Sequence, residues 1–459
     1  MTHSSPLQRL GAFACAAALL AGCAGARHDP LPAVAMPANW SAPVSADAPA
    51  TTRDWWRSFG DPQLDALIDD ALRANNDLAI AAIRVYRAQL QAGLANTNLT
   101  PNVTLGANGA VSRTLDTHQM RRSSNANASL SYEIDLWGRL AALRDAARWE
   151  ADATAADLEA ARLSLIGTTA SLYWRIGFLN RQIALGDANI AYAVRTLAVV
   201  RSRHTAGAVS GLDLAQAEQS LATQRAAQTR LIQQRTENRH ALAILFDRPP
   251  QQRAAEPPAL PDAPPPEVAA GLPASLLGRR PDLRAAEFRL RESLAQVDAT
   301  RTSFYPTFTL TGAAGTSSTS LERVLANPVG TLGLGLALPF IQWNTMQLQI
   351  KVSKTQYEEA VVGFRQKLYT ALAEVENALS ARVQLEREAE QRALSLAQAQ
   401  AQRAERLAAA QFAAGATAVQ PWLDQQQRLR DAQSADEQTR LDRLNNQMTL
   451  YRALGGGMS

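Results

Sequence analysis

The chain has 459 residues, room for two or three ordinary domains, yet only 6% of them are aromatic. So few rings exclude several aromatic-packed cores, whereas abundant Ala, Leu, Gln, Arg and Glu suit long packed helices. The formal net charge is +4, with Arg interspersed among Glu and Asp throughout. This is the pattern of solvated helix faces, not the clustered basic stripe that nucleic acid requires, and no nucleic-acid partner is expected.

Residues 1–22 read as an export signal. Arg9 supplies a positive start, and Leu10–Leu20 is an apolar core too short for a stable span. The segment ends in Leu20-Ala21-Gly22-Cys23, which matches the lipobox of bacterial lipoproteins. There the Cys is diacylglycerylated, the signal is cut before it, and the new amine is acylated, giving firm anchoring in a membrane. Ala24 follows Cys23, which by the usual sorting rule sends the protein to the outer membrane. Cys15 and Cys23 are the only cysteines, so the folded body has no thiol chemistry. No uninterrupted apolar run of 18 residues follows, and the sequence predicts no transmembrane helix.

Residues 23–53 are rich in Pro, Ala and Ser, a lipidated extended tether. Trp55 and Trp56 are expected to pack where it meets the body. Asp61 and Pro62 then make a helix cap and a first helical residue.

The rest of the chain states one unit twice. At an offset of 205 residues, Asp282–Leu310 falls on Asp77–Leu105 without a gap, pairing Arg84 with Arg289 and Pro101 with Pro306. At an offset of 208, Ala414-Gly415-Ala416 falls on Ala206-Gly207-Ala208. Each unit is a helix, a β-hairpin, a long helix, a Gly turn and a second long helix. The first repeat covers 54–248 and the second 274–459, with a Pro-rich connector at 249–273.

After Pro101 the apolar period changes from 3.6 to 2. Val103, Leu105 and Val111 alternate with Asn102, Thr104 and Ser112, and Leu130, Tyr132 and Ile134 with Ser129, Ser131 and Glu133. The hairpins are expected at about 102–136 and 307–341, with Glu133 and Asp135 on the polar strand face. Long strands apolar on one face and polar on the other are the pattern of an outer-membrane barrel. A soluble sheet packed on a helix would show similar alternation. Four strands cannot close a barrel with a lumen, and open edges are not tolerated in lipid, so the membrane reading requires a shared barrel.

Gly138 to about Thr205 reads as one helix, on the order of 100 Å long. Ile183, Ile190 and Leu197 recur at sevens, with Gly186, Ala193 and Val200 three residues after each, a coiled-coil seam. The second copy runs from about Gln342 to Ala413. Helix pairs turn at Gly207 and Gly415.

The chain carries Trp55-Trp56-Arg57-Ser58-Phe59-Gly60-Asp61-Pro62, Tyr132-Glu133-Ile134-Asp135-Leu136-Trp137-Gly138-Arg139, Arg279-Arg280-Pro281-Asp282-Leu283, Phe304-Tyr305-Pro306 and the closing Ala453-Leu454-Gly455-Gly456-Gly457. Together these motifs resemble the TolC family of outer membrane factors, in its NodT/OprM-like lipoprotein branch. The resemblance covers nearly the whole mature chain. It implies a mixed α and β membrane protein: a homotrimer whose protomers each give four strands to a twelve-stranded β-barrel, continued by a periplasmic α-helical barrel. The connector would lie in an equatorial belt. The implied function is that of a passive gated duct, the outer-membrane component of a tripartite efflux system. The implied partners are a periplasmic adaptor protein and an inner-membrane pump of the resistance-nodulation-division type.

The resemblance also implies a gate at the helix turns. The family carries an acidic ring six and nine residues after the second turn's Gly; counted from Gly415, the ninth residue is Asp424 and the sixth is Pro421. Asp213, six residues after Gly207, falls where the family accepts locking contacts from Tyr and Arg. Phe412 and Thr417 stand at those two positions, and neither can make an ion pair or a phenolic hydrogen bond. Asp424 also has a simpler reading, as a solvated carboxylate near a helix start.

The histidines are scattered without metal-ligand spacing, and no phosphate-cradling Gly loop precedes a helix. No enzyme activity, metal or cofactor is expected beyond the covalent lipid on Cys23. A structural coiled-coil envelope lipoprotein is the alternative of another class; it shares the lipobox and long helices but has no need of two hairpins. Within export the alternative is a type I secretion outer-membrane channel, although lipoprotein members of the family usually serve efflux.

Overall fold

The computed structural model describes residues 35–41, 52–319, 328–401 and 404–457. Cys23, the export signal and most of the tether lie outside them. Helices α1 (Pro62–Ala74) and α2 (Asn76–Thr97) lead to strands β1 (Asn102–Arg113) and β2 (Met120–Ile134), then to α3 (Arg139–Thr205) and α4 (Gly211–Leu245). The second half has α5 (Pro281–Thr302), β3 (Thr307–Ser318), β4 (Pro328–Ala337), α6 (Trp343–Ala401), α7 (Ala404–Ala413) and α8 (Gln420–Ala453). The duplication holds residue by residue. Helices α2 and α5 are both 22 residues long, Asn76 matching Pro281 and Thr97 matching Thr302, and β1 and β3 are both 12. The chain forms two compact units that cut across the repeats, so each draws on both halves.

One unit comprises Arg84–Ala155 and Ala285–Gln366 among its described residues. It holds an antiparallel sheet in the order β1-β2-β3-β4. Register sorts its two faces. Val103 lies opposite Leu130, Leu130 opposite Gly312 and Gly312 opposite Leu332, while Thr104 lies opposite Ser129 on the other face, bonded to it at 2.6 Å. The apolar face is uncovered: Leu105 is 83% exposed and Leu332 88%. Asn, Ser, Thr, Gly and Ala dominate the polar face, where Arg121 and Glu133 are the charged strand residues at opposite ends. Among the described residues, strands β1 and β4 each have one paired neighbour, leaving two open edges.

Where strands give way to helices, Glu133 takes both Nη2 bonds of Arg139, at 2.7 and 2.8 Å. Asp135, expected on the polar strand face, instead follows the strand's end and caps α3, accepting the Leu140 and Ala141 amides at 3.1 and 2.8 Å. Helix starts present free N–H groups, and a carboxylate there satisfies two of them. Trp137 donates to the Pro306 carbonyl at 2.7 Å and stands edge-on to Tyr305.

The other unit comprises Ala35–Ile83, Ala156–Arg284 and Lys367–Ser459, apart from the undescribed residues. Its centre is aromatic. Trp55 and Trp56 are buried, Trp55 stacks on Tyr451 at 4.6 Å, and Phe59 meets Trp174 at 5.0 Å. Asp61 caps α1 through the Gln63 and Leu64 amides and takes the Tyr173 hydroxyl at 2.8 Å. The described tether residues are docked: Trp40 donates to the Gly271 carbonyl at 2.8 Å, and the Ser41 amide to Glu376 at 2.8 Å. The connector forms neither helix nor strand before Pro273 and is tied to the helices through Asn180 on the Pro257 carbonyl and Arg440 on Asp262.

Arg280 gives the Arg-Arg-Pro-Asp motif its physical reason. Buried at 8% exposure, it donates twice to Asp282, at 2.8 and 3.0 Å, once to Glu374 at 2.7 Å, and to the Ala453 carbonyl. Burial disfavours the cation, but the two carboxylates outweigh that cost and raise its affinity for the proton. By length and composition, α3 is apolar enough to cross a membrane. The sequence predicts no such span because charges interrupt every apolar run. In this unit Ile166, Tyr173, Trp174, Ile176 and Leu179 of that helix are buried in protein.

Candidate functional site at the two helix turns

The two helix turns are built alike. Gly207 and Gly415 adopt φ of 72° and 73°, the left-handed conformation that costs a residue with a Cβ about 1–2 kcal/mol. Behind each, the next residue's amide bonds back across the turn: Ala208 to the Arg203 carbonyl at 2.8 Å, and Ala416 to the Gln411 carbonyl at 2.9 Å. Along the α3 seam Ile183, Ala193 and Val200 are buried. Gly186 leaves room for Gln228 of α4, whose amide bonds the Ile183 carbonyl at 3.0 Å and Asp187 at 2.8 Å.

The turns differ in how the following helix is capped. Ser210 and Asp213 form a capping box on α4: the Asp213 amide donates to Ser210 Oγ at 3.2 Å, and the Ser210 amide to Asp213 Oδ2 at 3.1 Å. Helix α8 has no cap of its own, since Val419 stands at its N-cap and Pro421 in its first turn. Asp213 supplies the acceptor instead, taking the Val419 amide on Oδ1 at 3.0 Å. The Ser210 hydroxyl, and then the Val419 amide, hold the Asp213 carboxyl below the usual carboxylate range against the opposing effect of burial.

Arg203 does the corresponding work at the other end of the second turn. Its guanidinium donates to the Phe412 carbonyl at 2.6 Å and to the Ala413 carbonyl, and lies 5.0 Å over the Phe412 ring. A cation at the carbonyl end of α7 also opposes the helix dipole. The first repeat thus furnishes both the anion and the cation that close the second repeat's turn.

Apolar and aromatic packing backs these bonds. Phe412 is 1% exposed in a cluster with Val200, Ala217, Val419, Trp422 and Leu423. Glu405 accepts the Trp422 indole N–H at 2.8 Å and the Tyr192 hydroxyl on the same oxygen. Burial first, and the bond to Glu405 second, push the Tyr192 hydroxyl up to about 12. The Thr417 hydroxyl is buried without a partner among the described residues.

Asp424 is exposed on α8 and accepts from Gln420 at 2.6 Å. Asp431 repeats the arrangement seven residues on, accepting from Gln427 at 2.6 Å. Seven residues are close to two helical turns, so both carboxylates share one face, about 10 Å apart. Asp213 and Asp424 therefore occupy different settings, one locked inside the turn contacts and one on a solvent face. Sequence reasoning missed Arg203, Glu405 and Asp431. Only the last had a signal, a Gln-x-x-x-Asp pair recurring at seven.

The matching family model, outer membrane efflux protein, covers residues 67–246 and 272–456. The chain belongs to the outer membrane efflux protein family. It is 33% identical over 440 residues to the pyoverdine export outer membrane protein OpmQ of Pseudomonas putida, covering 93% of each chain. It is 28% identical to the toluene efflux pump outer membrane protein TtgC, also of Pseudomonas putida, covering 97% of this chain and 95% of that one. Among solved structures, the open state of the Neisseria gonorrhoeae MtrE outer membrane channel matches with a TM-score of 0.81 and 27% identity, over 95% of this chain and 98% of that one. Family membership makes this chain an outer-membrane efflux channel component, and its fold is the tandem-repeat channel fold of its structural neighbours.

Proposed function

We propose that three copies of the chain close a twelve-stranded barrel in the outer membrane and extend an α-helical duct into the periplasm. The observation that carries this is the sheet: apolar on one face, polar on the other, and unpaired at both edges. Open edges in hydrocarbon cost several kcal/mol per unsatisfied group, and closure by further copies removes them. The uncharged stretch of the polar face then lines a lumen, and the apolar face meets lipid.

The duct is passive. A periplasmic adaptor and an inner-membrane pump of the resistance-nodulation-division type select and drive the cargo, and the chain itself catalyses nothing. Cargo is of the small-molecule class; relatives are named for pyoverdine and toluene. Lipid on Cys23 adds an anchor. In the resting state the two helix turns close the periplasmic end, with Asp213 and Arg203 holding the second turn to the first. Asp424, and Asp431 behind it, form anionic rings around the threefold axis, which favour cations.

Single-channel recording of the detergent-purified protein beside Asp424→Ala tests this reading. A small cation-selective conductance, less selective in the variant, supports it. Absence of both conductance and trimers would return the chain to the structural lipoprotein class.

A further inference from the structure

The apolar face of the sheet ends in arginine. On β1 its outward positions run Val103, Leu105, Ala107, Gly109, Val111 and then Arg113; on β2 they run Ile134, Tyr132, Leu130, Ala128, Ala126, Ser124 and then Arg122. Val111 is opposite Arg122 and Arg113 opposite Met120, so the two arginines are diagonal neighbours on one face. Arg121 lies between them in sequence but opposite Ser112, on the polar face. All three are exposed, and among the described residues none is bonded to a carboxylate. Asp116 is the acidic residue of the connecting loop 114–119.

Tyr132 and Arg122 are ten residues apart on one strand. That is about 34 Å along the strand, and about 26 Å along the membrane normal at a tilt of about 40°. The height equals the apolar band of an outer-membrane barrel, so the arginines sit where hydrocarbon gives way to headgroups. They occupy the loop end of the hairpin, away from the ends that join α2 and α3. Resting on the outer-membrane reading above, this end faces outward.

We infer that Arg113 and Arg122, with Val111 and Met120 beside them, form a binding site for the phosphate groups of outer-leaflet lipid. Charge complementarity selects this occupant: paired guanidinium groups match phosphate oxygens, and the adjoining apolar residues meet acyl chains. A neutral lipid would leave two cations at the rim unmatched.

The test uses the full-length protein in lipid nanodiscs containing phosphatidylcholine and a minor fraction of lipid A, either phosphorylated or enzymatically dephosphorylated. After a mild detergent wash, retained lipid A per trimer is counted by mass spectrometry. The wild type is expected to retain the phosphorylated form about tenfold better, Arg113→Ala/Arg122→Ala to lose that preference, and Arg121→Ala to keep it. Equal retention of the two forms by the wild type, or the same loss in Arg121→Ala, overturns the site while leaving the channel reading intact. Failure of the wild type to insert overturns the outer-membrane reading, and the site with it.

Discussion

The Oδ1 oxygen of Asp213 accepts the Val419 amide at 3.0 Å while Oδ2 serves Ser210, so one carboxylate closes the starts of both α4 and α8. Replacing it with Ala strips the α8 start of its acceptor and the α4 capping box of its carboxylate half, leaving Ser210 Oγ in place, at about 1 kcal/mol for each lost cap bond. Asp213→Ala is therefore expected to loosen the tip and raise the time-averaged single-channel conductance. Asp213→Asn, which keeps one acceptor oxygen, should fall between. Equal conductance in all three proteins would show that this bond does not restrain the turns.

The same carboxylate sets a pH dependence. Its proton affinity is lowered in the folded tip, so the stabilisation is complete above the ordinary carboxylate range and disappears as pH falls through the lowered value. Conductance should stay flat from neutral pH down to about pH 4 and rise only below it. A bilayer titration checks this, and a step near neutrality would assign control to another group.

Arg203 binds two carbonyls with a planar fork, a geometry that Lys cannot reproduce. Losing it costs about 1.5 kcal/mol, on the order of tenfold in local opening of the second turn. Limited proteolysis at 404–420 should accelerate by that factor in Arg203→Met and nearly as much in Arg203→Lys. Unchanged cleavage would mean that the Phe412 cluster alone holds the turn.

Asp424 and Asp431 are expected to contribute separately to ion selectivity. Reversal potentials in a salt gradient should shift toward non-selectivity in either single Ala variant, and further in the double variant. A double variant no different from wild type would place the constriction elsewhere.

Cys23→Ser is expected to abolish incorporation of labelled fatty acid while leaving trimers intact, because the body has its own barrel and core. Continued labelling would falsify the lipobox assignment.

The parts of the fold that repeat were legible because each copy vouches for the other. Asn76 and Pro281 open helices of equal length, and the change of period after Pro101 and Pro306 marks β1 and β3. The gate was legible only in outline. Pro421 betrayed a missing carboxylate, but the replacement acceptor bonds a backbone N–H 206 residues away, and Arg203 bonds backbone carbonyls. Backbone partners carry no side-chain signature, so no spacing rule could have found either contact. Asp135 illustrates the opposite error: strand alternation was extended by one residue into a helix cap.

Sharing Asp213 makes the two copies unequal under mutation. Position 421 answers for no helix start, and position 213 answers for two. With a proline at 421, the carboxylate at 213 cannot be lost without harm to both starts. Restoring an acid at 421 would gain little while Asp213 persists. The duplication thus carries a one-way dependence: the second half's turn relies on Asp213 and Arg203 of the first half, and a second half replaced alone must still fit both.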